Sequence, residues 1–383
     1  MSSNEWATYK LEQVLEVKYG KDHKALVAGD VPVYGSGGIM RYADKALYRE
    51  TSILIPRKGT LNNLFFLDNP FWTVDTMFYT ILNREIIDPK FLFYKLKMFN
   101  YSEMNVGTAV PSMTVQVLNE LQITIPNKRK QEKISFILST IDQKIENNIK
   151  TNNTLEEIAR TLFKEWFVNC NYPKADDNLD NSELGGIPER WKIGNFEDIA
   201  EQVKESINPS ICPDKEFLHY SLPAFDIDEL PNTDLGSSIL SNKTKVKKYS
   251  VLFSKLNPRI PRIWPIGDID EELSICSTEF IGFKPKKDFF YSYINIFFKQ
   301  PELMTKLTGI ATGTSNSHQR IKPSDLLELS VLIPDDDIVR KFDKIVKPIL
   351  EIRFHKLLEN QQLKKTRDTL LPKLMSGEIE LNG

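Results

Sequence analysis

Little in this sequence speaks for export or catalysis. Its three cysteines, Cys170, Cys212 and Cys276, lie far apart and form no C-x-x-C pair. That excludes a disulfide framework and a zinc ribbon and points to a reducing, cytoplasmic setting. No run of about 18 apolar residues is present, so no membrane span is expected. The stretch Met1–Trp6 lacks the basic and apolar pattern of a signal peptide. Charge of either sign is not in excess: 50 Lys and Arg face 52 Asp and Glu, a net charge of −2. The chain is therefore no polycation that coats nucleic acid by bulk attraction, and DNA binding must come from a local basic face or be shared with a partner. There is no G-x-x-x-x-G-K-[ST] loop and no H-E-x-x-H, and the four histidines (His23, His219, His318, His355) are scattered. Gly35-Ser36-Gly37-Gly38 lacks G-x-G-x-x-G spacing and reads as a hairpin turn.

What is present is a duplication. A length of 383 residues, 41% of them hydrophobic, suits two or three globular domains. Trp6, Leu11 and Val14 match Trp191, Phe196 and Ile199 at an offset of 185. Gly107-Thr108 matches Gly313-Thr314, and each is followed by an apolar run ending in Ile-Pro, at Ile125-Pro126 and Ile333-Pro334. Asn152, Leu155, Thr161 and Leu162 match Asn360, Leu363, Thr369 and Leu370 at a constant offset of 208.

Each copy begins with a mixed segment. Strands are expected at Ser52–Ile55, Leu64–Leu67, Met77–Leu82 and Leu121–Ile125, with a helix over Pro89–Phe99 capped by Asp88. The counterparts are Val251–Ser254, Phe280–Phe283, Leu329–Ile333 and a helix near Phe289–Phe298. There is no regular βαβ alternation, so the class is α+β. Each copy ends in a long helix. Leu138, Ile145, Asn152, Ala159 and Trp166 fall at one heptad position, and Ile134, Ile141, Asn148, Leu155 and Leu162 at the other. In the second copy Val339, Val346, Arg353, Asn360 and Arg367 accompany Phe342, Ile349, Lys356, Leu363 and Leu370. The polar middle of both stripes either fixes register or leaves a wet, loosely packed seam.

Connectivity makes the two helices antiparallel and predicts a dumbbell with a pseudo-twofold axis, its rod about 60 Å long at 1.5 Å per residue. The expected division is a first globular domain at 1–127, a spacer helix at 128–170, an acidic surface linker at 171–183, a second globular domain at 184–335 and a second helix at 336–379. Phe163, Trp166 and Phe167, with Leu370 and Leu374, form either a subunit interface or a packing surface for the adjacent domain.

Candidate DNA contacts follow from residue chemistry. Lys243, Lys245, Lys247, Lys248, Lys255, Arg259 and Arg262 lie between Asn242 and Arg262 without an intervening acid. Arg57 and Lys58, with Asn62 and Asn63, occupy the equivalent place in the first copy. Arginine reads guanine and asparagine reads adenine through paired hydrogen bonds. The Gly-Thr loops continue into Ser112 and Thr114, and into Asn316, His318, Gln319 and Arg320, which are rich in donors and acceptors.

Asp68-Asn69-Pro70-Phe71-Trp72 is similar to the [DN]-P-P-[YF] loop of amino-methyltransferases, but the second proline and a glycine-rich cofactor loop are missing. A turn packing Phe71 and Trp72 is the better reading. The chain as a whole resembles the specificity subunits of Type I restriction–modification enzymes. The resemblance rests on Ile141-Asp142-Gln143-Lys144-Ile145-Glu146-Asn147-Asn148, on Leu162-Phe163-Lys164-Glu165-Trp166-Phe167-Val168, on Leu184-Gly185-Gly186-Ile187-Pro188-Glu189-Arg190-Trp191 and on Thr369-Leu370-Leu371-Pro372-Lys373-Leu374-Met375. It implies a non-catalytic reader of double-stranded DNA in which each of two target recognition domains takes one half of a split, asymmetric sequence. The helices would set the gap and dock two methyltransferase subunits that carry S-adenosylmethionine. Motor-nuclease subunits using ATP and Mg would complete the assembly, and none of these cofactors would bind this chain. A free-standing enzyme and a coiled-coil scaffold without a DNA role are the competing expectations.

Overall fold

The computed structural model describes residues 6–104, 111–173, 179–182, 185–188, 190–312 and 319–381. The chain divides into two compact units, Met1–Lys144 with Leu363–Gly383, and Ile145–Gln362. Each has its own apolar core.

In the first unit Ala7–Lys10 pairs with Gln122–Ile125, and the short helix Leu11–Val14 leads into an antiparallel sheet. The strand order is Leu15–Tyr19, Met77–Leu82, Ser52–Pro56, Phe65–Leu67. Ser52–Pro56 is buried along its whole length, as its apolar run requires. Its one polar side chain is satisfied, because Ser52 Oγ donates to the Thr80 carbonyl at 2.7 Å. Asp88 caps the helix Pro89–Leu96 by accepting from Phe91 N at 2.8 Å.

The second unit repeats this frame. Lys192–Asn195 pairs with Ser330–Ile333, the helix Phe196–Ile199 follows, and the sheet order is Ala200–Val203, Phe280–Pro285, Val251–Ser254, Ile263–Pro265. The correspondence extends to single bonds: Leu11 N donates to Leu121 O at 2.8 Å, and Phe196 N to Leu329 O at 2.8 Å. The expected helix near Phe289–Phe298 is a 3-10 turn, Asp288–Phe290, running into an α-helix, Tyr291–Phe297.

The units differ in what is inserted. In the first, Val31–Gly35 and Gly38–Ala43 lie between the first and second frame strands in chain order, and Trp72–Thr73 between the third and fourth; together they form a three-stranded sheet. In the second, Ser206–Ile207, Glu216–Tyr220, Asn232–Leu235 and Lys243–Lys245 occupy the first of those positions and Ser274–Cys276 the second, as a five-stranded sheet. The hairpin expected at Gly35–Gly38 is present, with Gly38 at φ +111°, a conformation that favours glycine.

The long helices are Lys128–Phe163, prolonged by a π-helical turn Lys164–Val168, and Asp336–Ser376. They pair antiparallel within each unit. In the first, Arg367 reaches Asp142 at 2.7 Å, and Ile134 and Leu138 share a core with Leu374. In the second, Asn148 Nδ2 donates to Asn360 Oδ1 at 2.8 Å and to Glu359 Oε2 at 2.8 Å, while Asn152 Nδ2 donates to the Arg353 carbonyl at 3.3 Å. The polar middle of the seam is therefore a bonded network.

Within the expected linker, Leu179–Ser182 is a strand paired with Gly185–Pro188, and Tyr172 stacks on Trp191 at 5.2 Å.

Candidate nucleic-acid interface

In the first unit the frame strand Ser52–Pro56 delivers Arg57 and Lys58 to its end. Arg57 is half-buried: its guanidinium lies over the Tyr19 ring, 5.3 Å from the centroid, and donates to the Asp75 carbonyl at 3.2 Å. Lys58 is exposed and forms a β-bridge with Ser112, and Met113 N donates to Arg57 O at 2.8 Å. Gly59 turns at φ +89°, where a Cβ would come 3.0 Å from Ser36 Oγ. Three segments thus converge: the glycine hairpin, the turn after Ser52–Pro56, and Ser112–Thr114. Asn62 and Asn63 serve the local fold. Asn62 Oδ1 accepts from Tyr101 N at 2.9 Å, its Nδ2 donates to Ser102 Oγ at 3.1 Å, and Asn63 Nδ2 donates to Ser36 O at 2.8 Å. Thr114 caps the helix Val115–Asn119.

The second unit repeats the junction. Leu256 bridges Arg320, Asn257 N donates to Gln319 O at 2.8 Å, and Ile321 N donates to Lys255 O at 3.1 Å. Asn257 holds φ +49°, a left-handed turn that presents exposed Arg259 and Ile260. Asn316 and His318, with both Gly-Thr pairs, lie outside the described residues.

The dense basic stretch is not a bare cationic face. Lys245 pairs with Glu205 at 2.9 Å, Lys247 with Glu205 at 2.8 Å and Glu271 at 3.4 Å, and Arg262 binds Asp226 through two bonds of 2.6 and 2.8 Å. Hydrogen bonds first from Lys247 and then from Lys245 pull the Glu205 carboxyl down to about 2. Arg320 is likewise held by Glu279, at 3.1 Å. Lys243 is buried, and its ammonium donates to Ser241 Oγ at 2.6 Å; burial lowers its pKa. Lys255 is half-buried. Among the described residues Lys58 and Arg259 have no acidic partner. The sequence hid this because the neutralising acids come from other strands and loops.

Phe163, Trp166 and Phe167 are buried in the core of the second unit, with Phe167 4.9 Å from both Tyr293 and Phe342. In the first unit Leu374 is buried and Leu370 packs against the same core. Phe163, Trp166, Phe167 and Leu374 thus pack within their own units, while Leu370 is half-buried. Phe71 is fully buried against Tyr48 and Tyr79, the turn packing expected there.

A duplicated α+β frame carried on two paired helices defines a scaffold that presents two versions of one surface. The profile of the Type I restriction modification DNA specificity domain matches residues 3–157. The chain is 27% identical to the MjaIX specificity subunit of Methanocaldococcus jannaschii, over 98% of this chain and 94% of that protein. It is 26% identical to the HindI specificity subunit of Haemophilus influenzae, over 82% of this chain and 83% of that one. A crystal structure of the S subunit of a Type-I restriction-modification system from M. genitalium matches the fold with a TM-score of 0.64 at 17% identity, over 100% of this chain and 98% of that chain. The chain is thus similar over nearly its whole length to specificity subunits of Type I restriction–modification systems. No helix among the described residues is long and apolar enough to cross a membrane.

Proposed function

We propose that the regions 1–127 and 184–335 each read one half of a bipartite, asymmetric DNA sequence, while the helices within 128–170 and 336–379 fix the gap between the halves. In this reading two methyltransferase subunits bearing S-adenosylmethionine methylate adenine in the target. Motor-nuclease subunits using ATP and Mg complete the restriction assembly. The observation that carries the reading is the repeated junction: in both units the turn after the buried frame strand is bonded to the segment following a Gly-Thr loop, Lys58 to Ser112 and Leu256 to Arg320. Two copies of one tip, surrounded by inserted sheets of different size, suit two different half-sites. Lys58 and Arg259, the exposed cations at these turns, neither with an acidic partner among the described residues, are the leading phosphate or base contacts. Arg57, Ser112, Thr114, Gln319 and Arg320 line the same junctions. Asn316 and His318, outside the described residues, stay candidates on their chemistry alone. Lys243, Lys245, Lys247, Lys255 and Arg262 rank lower, being paired or partly buried.

The test is to co-express the chain with a cognate methyltransferase and map methylated adenines across a host genome. One split motif with a constant gap is expected. An assembled complex that binds S-adenosylmethionine yet methylates no split motif would sink the proposal.

A further inference from the structure

The second unit contains a partly open pocket of about 230 Å³, lined by none of the candidate DNA contacts. It lies where the second long helix, at Leu350–Leu357, faces the turn Pro265–Asp268. Five rings line it: Tyr249, Trp264, Tyr291, Phe354 and the imidazole of His355. Three carboxylates also line it, those of Glu229, Asp268 and Glu351. The one arginine, Arg353, is nine-tenths buried and already committed to Glu156 at 2.6 Å. Its Nε is buried without an acceptor among the described residues. The site therefore carries more carboxylates than cations, Glu229 lying 4.0 Å from the Arg353 guanidinium, together with aromatic faces and one idle donor.

Backbone conformation marks the same place. Glu229 and Tyr249 both hold φ +52°, two of only four non-glycine residues at positive φ among those described. Such conformations are strained for residues other than glycine and persist where the surroundings impose them. Burial, followed by the charges of Asp343 and Glu351, raises the pKa of the Tyr291 hydroxyl. A ring of the set already accepts a cation on one face, since Lys347 Nζ stands 3.7 Å from the Tyr249 centroid.

These features select the occupant. Nucleic acid is repelled by the carboxylates. Pockets for drug-sized ligands run to about 300–1,000 Å³, so a dinucleotide-sized cofactor does not fit. A bare metal ion has no use for the rings. A peptide segment with an arginine supplies a planar cation for the rings and carboxylates and a backbone carbonyl for Arg353 Nε. We propose that this cavity is a socket for an arginine side chain of a partner protein subunit. The proposal rests on the reading of the chain as an assembling subunit, and it places a specific anchor beside the second long helix.

The test uses the full chain labelled with 5-fluorotryptophan, the Trp264 resonance being assigned by Trp264→Phe. The probes are the capped tripeptides Ac-Gly-Arg-Gly-NH2 and its neutral citrulline isostere. The arginine peptide should give a saturable shift at Trp264, the citrulline peptide should bind at least fivefold more weakly, and Asp268→Asn with Glu351→Gln should weaken arginine binding at least fivefold. No saturable shift, or equal binding of the citrulline peptide, would overturn the socket. The same double variant should weaken assembly with the methyltransferase at least fivefold, with circular dichroism and Tm unchanged. Assembly at wild-type affinity would overturn the assignment of a subunit as donor. Failure of the wild-type chain itself to assemble would count against the subunit reading, while the peptide titration still decides the socket.

Discussion

Ser292 Oγ donates to Asp343 Oδ1 at 2.5 Å, tying the helix Tyr291–Phe297 to the second long helix. The first unit makes the same tie with the partners exchanged. There Ser135 on the long helix donates to Asp88 at the start of the helix Pro89–Leu96. The acid and the hydroxyl have changed places between copies while the bond has stayed.

Asp343 offers a pH test. Burial raises its carboxyl above the ordinary 3.8, and the bonds from Ser292 only partly oppose this. A raised folded pKa gives stability that is present below the unfolded value and lost as pH rises through the folded one. Asp343→Asn keeps an acceptor for Ser292 without the charge. It should be neutral or stabilising by up to about 1 kcal/mol at pH 7, with the gain vanishing near pH 3. Urea melts of both proteins at the two pH values check this.

Glu156 has the opposite sign. Burial would raise its pKa, but Lys299 at 2.9 Å and Arg353 at 2.6 Å prevail and hold it below the ordinary 4.5. Glu156→Gln strands two nearly buried cations. Because the carboxylate keeps about a quarter of its exposure, we expect a loss of about 2–3 kcal/mol, at or below the low end for breaking a buried pair. That difference should shrink as pH falls below 4.5 and Glu156 protonates in the wild-type chain. A constant difference from pH 7 to pH 3 would contradict the ion-pair account.

The DNA contacts separate by salt dependence. Lys58→Ala and Arg259→Ala should each weaken binding of the assembled complex and lower the slope of log K against log salt by about 0.9. Lys247→Ala should leave the slope nearly unchanged, because Glu205 and Glu271 already hold that ammonium. Glu205→Gln, which releases Lys245 and Lys247, should tighten binding to non-cognate DNA. Fluorescence anisotropy across a salt series distinguishes all four variants.

The asparagine pair in the seam tests register. Replacing Asn148 and Asn360 together by leucine removes a buried polar bond and should hold or raise stability, since a polar residue in a seam costs stability. If the helices set the gap, methylation by the variant complex should spread over neighbouring gap lengths. A single unchanged motif would show that the network is dispensable for spacing.

Much of this was legible in the sequence because the frame is written in local chemistry. Asp88-Pro89 announces a capped helix, and the apolar run at Ser52–Ile55 a buried strand. The heptads carry the helix pair. The inserted sheets were not legible. Strands such as Lys243–Lys245 and Asn232–Leu235 are short and polar, and Lys243–Lys245 pairs with Ser206–Ile207 and Ser274–Cys276 rather than with its neighbours in the chain. The candidate contacts shifted for a related reason. Glu205, Glu271 and Asp226 cancel lysines and arginines that look unopposed along the chain, and only folding brings them together.

The inserted strands enter both copies at the same two points of the same frame. Such a layout separates what is inherited from what can vary. A stretch between Ala200–Val203 and Val251–Ser254 can be replaced by recombination, or lengthened, without rewriting the strands that make the core or the helices that carry it. Lineages can then diversify one half of the molecule while the other half and its assembly contacts pass unchanged to descendants.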